Sequence, residues 1–75
     1  MKNFGTNNSS NAWKKILSPL EVKILAFITV GTSNYEIASK LNIPLQVVRD
    51  KTEHIFAKIK ANNRLQASLW AARNL

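Results

Sequence analysis

Apolar residues return at three- and four-residue intervals along most of this chain, and residues that start or stop helices mark each break in that rhythm. Leu20, Ile24, Phe27 and Ile28 fall on one helical stripe. Ahead of them, Ser18-Pro19-Leu20-Glu21 is a strong helix start. Ser18 can accept the amide hydrogen of the third helical residue, Glu21 can reach back, and Pro19 sits where a missing N–H costs nothing. Gly31 is placed to close this helix in a left-handed turn. Ser33-Asn34-Tyr35-Glu36 repeats the capping pattern and opens a short helix with Ile37, Ala38 and Leu41 facing inward and Asn42 as its stop. Ile43-Pro44 then enforces a turn, because the residue before proline avoids the α region.

A third helix is predicted from Leu45 to Lys60. Val48, Thr52, Ile55 and Ile59 form its buried stripe, while Gln46, Arg49, Asp50, Glu53, Ala57 and Lys60 share the opposite face. Lys51 and Lys58 run along one flank. Asn62 or Asn63 restarts a fourth helix, from Arg64 to about Arg73, with Ala67, Ala71 and Leu75 on one side and Leu65, Leu69 and Ala72 nearly opposite. A terminal helix that is apolar on two sides has one face more than a monomer can bury, so the second is expected to meet another copy. The fold class is therefore all-α, four helices with a helix-turn-helix formed by the second and third.

Upstream, Asn3 to Asn11 holds only Phe4 as an apolar residue. Residues 1–16 are expected to be a flexible basic tail, and residues 17–75 the folded domain. Trp13, Ile16, Leu17 and Leu20 nevertheless recur at helical spacing. Trp13 either covers an exposed edge of the core through an extra helical turn, or the tail serves as a basic arm.

Composition narrows the function more than the fold. The chain has 75 residues, with 11 Lys+Arg against 4 Asp+Glu, a net charge of +7. That excess favours polyanions, nucleic acid ahead of acidic membranes or proteins. It divides into +3 for residues 1–16 and +4 for residues 17–75. So short a chain buries only about 60% of its unfolded surface, and the absence of cysteine excludes disulfides and thiolate metal sites. Helix packing or association must supply the stability. Four carboxylates and the lone His54 argue against a catalytic or metal centre, and Ser18 and Ser33 read as caps rather than nucleophiles. Neither a signal peptide nor a membrane span is present in the pattern. A membrane-surface helix is disfavoured because Asp50 and Glu53 interrupt the basic face of the third helix. The expectation is a soluble cytoplasmic binding protein, associated with the nucleoid, with no cofactor, no membrane and no small-molecule ligand.

The strings L-S-P-L-E-V-K-I-L from Leu17, G-T-S-N-Y-E-I-A-S-K-L from Gly31, V-V-R-D-K-T-E-H-I-F-A-K-I from Val47 and N-R-L-Q-A from Asn63 resemble the LuxR-type DNA-binding domain. This four-helix module also forms the GerE protein and the C-terminal half of NarL/FixJ response regulators; here it is expected either to stand alone, without a receiver or ligand-binding domain, or to be a fragment of a longer chain. The resemblance covers about residues 17–75. It implies a bacterial transcription regulator whose third helix enters the major groove of double-stranded DNA. It places Arg49 where the family has a base-contacting lysine, and Ser33, Asn34 and Tyr35 against backbone phosphates. It also implies two-fold pairing through the fourth helix, so that two recognition helices meet half-sites about one DNA turn apart. The pairing surface expected is Leu65, Leu69, Trp70, Ala72 and Arg73. On chemistry alone, the Arg49 fork suits guanine O6 and N7, Gln46 suits adenine, and Lys51, Lys58 and Lys60 suit phosphates.

The chain departs from the family pattern mainly on the DNA face. Pro44 replaces the usual capping serine of the third helix, and Val47 replaces a usual threonine. Tyr35 stands for a lysine, Lys51 for a histidine and Leu20 for an arginine. Asp50 and Glu53 bring carboxylates beside Arg49, where they repel phosphate unless one accepts from a cytosine amine. Two readings follow. The chain binds DNA with altered specificity as a homodimer, or its DNA reading is weakened and it pairs through the fourth helix with another LuxR-type regulator and modulates it.

Overall fold

A computed structural model describes residues 15–75. Its elements are α1 (Pro19–Thr29), α2 (Asn34–Leu41), α3 (Leu45–Ile59) and α4 (Arg64–Asn74), with no strand among the described residues. The expected Trp13 contact lies outside the described residues. Leu17 is buried and Ile16 exposed, and the helix starts afresh at Pro19, so no continuous helical turn joins them to Leu20.

Both predicted capping boxes are formed. Ser18 Oγ accepts from the Glu21 amide at 3.1 Å, and the Ser18 amide donates to Glu21 Oε1 at 2.9 Å. At α2, Ser33 Oγ accepts from the Glu36 amide at 3.2 Å, and the Ser33 amide donates to Glu36 Oε1 at 3.3 Å. Asn63 caps α4 by accepting from the Gln66 amide at 2.9 Å. Pro44 begins α3 with no side-chain cap, and its carbonyl receives the Val47 and Val48 amides instead. The first three helices end alike. Gly31, Asn42 and Lys60 adopt φ of 83°, 57° and 58°, and the next residue's amide reaches back to Phe27, Ala38 and Phe56 respectively. These are Schellman turns, which satisfy the last carbonyls of each helix.

The core is Leu17, Ile24, Leu25, Ile28, Ile37, Val48, Ile55, Ile59, Ala67 and Ala71, drawn from every helix. The α3 stripe is buried as predicted, Thr52 donating to the Val48 carbonyl at 2.8 Å. On α1 the buried face is rotated from the expected one: Glu21 and Leu25 lie inside, and Leu20 and Phe27 are half-buried. Leu75, on the Ala67 and Ala71 side of the wheel, is 48% exposed at the C-cap of α4, where it lines a shallow depression with Ala26 and Thr29 of α1. The most extensive contact joins α1 to α4, while α3 packs against α1 and α2 and touches α4 lightly. That arrangement leaves the outer face of α3 in solvent.

Candidate nucleic-acid interface

The short connection between α2 and α3 sets a two-helix unit on the α1–α4 platform. Ser33 is committed to capping α2. Asn34 Oδ1 accepts from Arg64 Nη1 at 3.3 Å, and Arg64 Nη2 donates to the Thr32 carbonyl. Arg64 therefore ties the start of α4 to the start of α2, a role the sequence signalled only through its place in N-R-x-x-A. Tyr35, beside these residues, is 69% exposed. Ser33, Asn34 and Tyr35 thus gather at one edge, next to α2's N-terminal amides, where a helix dipole favours an anion.

Along α3, Gln46, Arg49, Asp50 and Glu53 are all exposed on the face opposite the buried stripe. Gln46 Nε2 donates to Asp50 Oδ1 at 2.9 Å, one turn away. Lys51 is half-buried on the flank, and Lys60 is exposed at the left-handed end of the helix. Lys58, expected at phosphates, points the other way: its Nζ donates to Glu21 Oε1 at 2.7 Å, the one ion pair among the described residues.

The reason lies under α3. Glu21 is only 2% exposed, and a buried carboxylate needs a counter-charge and hydrogen bonds. Burial pushes its pKa up, but the Lys58 hydrogen bond, the Ser18 amide, the Lys58 charge and the Ser18 hydroxyl together hold it below 4.5. The pair locks α3 onto the first turn of α1. Sequence reasoning saw Glu21 only as a cap. A wheel that places it between Ile24, Ile28 and Leu25 would have shown a carboxylate in the core stripe, though not its partner 37 positions away.

On the far side, α4 presents Leu65, Leu69, Ala72 and Arg73 to solvent, with Leu65 68% and Leu69 53% exposed. Trp70 is half-buried and packs on the core edge. Leu69, Trp70 and Arg73 line a shallow depression with Ile59, Lys60, Ala61 and Gln66. No helix among the described residues is long and apolar enough to cross a membrane.

Comparison with known proteins agrees with this architecture. A family model described as "Bacterial regulatory proteins, luxR family" matches residues 15–71. The chain is 37% identical over 73 residues to the "Probable csgAB operon transcriptional regulatory protein" of Salmonella typhimurium, covering 97% of this chain and 32% of that protein. The "CsgBAC operon transcriptional regulatory protein" of Escherichia coli gives the same identity and coverage. To the "Response regulator protein VraR" of Staphylococcus aureus it is 35% identical over 57 residues, 76% of this chain and 27% of the relative. The chain thus spans about a third or less of the length of these relatives. No solved structure matches the chain.

Proposed function

Because the chain belongs to the luxR family of bacterial regulatory proteins, we propose that it regulates transcription by binding double-stranded DNA at the nucleoid, with α3 in the major groove, as a homodimer joined through α4. One observation carries this reading. The structure buries one side of α3 completely and holds Gln46, Arg49, Asp50 and Glu53 together in solvent on the other. A helix so presented fits the major groove.

Arg49 is the base reader in this scheme, its fork matched to guanine O6 and N7. Ser33, Asn34 and Tyr35, with the amides that begin α2, face phosphates. Lys58 is spent on Glu21, so phosphate attraction falls to Lys51 and Lys60. Leu65, Leu69, Trp70, Ala72 and Arg73 form the self-pairing surface. The second reading, pairing through α4 with another LuxR-type regulator, is favoured by one feature: Asp50 and Glu53 on the face offered to DNA. The test is Arg49→Ala, measured on a selected site and on random duplex. The selected site should lose about 1–3 kcal/mol and random DNA little. Equal losses on both would show that Arg49 acts as a phosphate contact, and unchanged binding would exclude α3 from the groove.

A further inference from the structure

Asp50 carries a carboxylate on the outer face of α3, and its link to the fold is one hydrogen bond within the helix, a weakly stabilising pair. It is exposed, lies beyond the first helical turn where an acid complements the dipole, and bonds to nothing except Gln46 among the described residues. Aspartate is also a weak helix former in such a position. The bond itself is informative. An ionised carboxylate only accepts, so the –NH2 end of Gln46 must be the end that faces Asp50. One N–H and the carbonyl oxygen of Gln46 are then left on the open face, in a side chain biased toward that orientation by the bond. The second Asp50 oxygen and Glu53 add further acceptors beside them.

On the floor of the major groove a carboxylate is tolerated only beside an exocyclic amine. Adenine N6 and cytosine N4 supply one, whereas guanine O6 and N7 and thymine O4 are acceptors that repel it. Resting on the DNA-binding reading above, we infer that Asp50 is a specificity-determining and positioning residue. It holds Gln46 and restricts one half-site position to an amine-bearing base, adenine or cytosine, next to the guanine read by Arg49. The carboxylates on this face are then selectors against the wrong base rather than signs of lost DNA binding.

The experiment is selection from a randomised duplex library at low salt with the wild-type chain and with Asp50→Ala, Asp50→Asn and Asp50→Glu, helix content being checked by far-UV circular dichroism. The wild type should enrich adenine or cytosine at one position of each half-site. Asp50→Ala, which removes the carboxylate, should reduce the discrimination against guanine and thymine roughly tenfold, and Asp50→Asn, whose amide pairs with adenine N6 and N7, should lose cytosine and keep adenine. Both should leave the guanine position intact, and Asp50→Glu should restore the preference because it keeps a carboxylate within a turn of Gln46. A wild type that binds duplex without an amine-bearing preference overturns this inference while sparing the DNA-binding reading. So does a discrimination against guanine and thymine that survives in Asp50→Ala, a cytosine enrichment undiminished in Asp50→Asn, or a loss spread evenly over all positions. A wild type that retains no duplex at all overturns both.

Discussion

Glu21 and Lys58 show how one buried charge redirects a surface residue. Breaking the pair by Glu21→Gln leaves the Lys58 charge without its partner, which should cost about 1–2 kcal/mol at neutral pH, less than for a fully enclosed pair because Lys58 is 40% exposed. The sign with pH follows from the direction of the shift. The folded-state pKa of Glu21 is below 4.5, so the pair's stabilisation is present above that value and is lost as pH falls through the lower folded value. Thermal unfolding across acid pH should therefore show the gap between wild type and Glu21→Gln closing below 4.5. A gap that stays constant into strong acid would contradict the assignment. Lys58 was readable as a flank lysine and not as a core partner, because a wheel places residues on faces but cannot pair faces 37 positions apart.

Helix termini were the most legible elements, because capping is local chemistry. Ser18 and Ser33 occupy their predicted roles, Asn63 rather than Asn62 caps α4, and Asn42 stops α2 in the left-handed region. The end of α3 was less legible. Lys60 was read as its last helical residue but is the left-handed turn beyond it, with φ of 58°. Nothing in a lysine announces that conformation; it follows from Ala61 donating back to Phe56 at 2.9 Å as the chain turns toward α4. A residue with a Cβ is penalised there by roughly 1–2 kcal/mol relative to glycine. Lys60→Gly should therefore stabilise the domain by about 1 kcal/mol, raising Tm by about 4–8 °C. Lys60→Ala should bring no such gain, since it keeps the strain. Equal Tm changes for the two would indicate that the side chain, not the backbone, governs this turn. The rotated face of α1 is hidden for another reason: Glu21 is both the capping carboxylate and a residue that faces the core.

At the scale of the molecule, two surfaces stand on different helices, the polar face of α3 and the apolar stripe of α4. Both are legible in the sequence, because both follow from helical periodicity. The orientation of α4 was less accessible, since it depends on the Arg64 contacts to Thr32 and Asn34 and on the close α1–α4 packing. Leu69→Glu places a charge on the exposed stripe without touching the core, so folding should be kept while self-association is lost. Light scattering at high concentration should report a monomer where the wild type shows a weak dimer; one short helix buries little area, so weakness without DNA is expected. An unchanged mass would move the pairing surface elsewhere.

DNA binding is the claim on which the rest depends, and a titration of labelled duplex by fluorescence anisotropy at a series of salt concentrations tests it most directly. The wild type should bind at low salt, and log K should fall linearly with log salt by about 0.9 for each phosphate neutralised. Absence of binding to any duplex at low salt would contradict the account and leave α4, rather than α3, as the working surface.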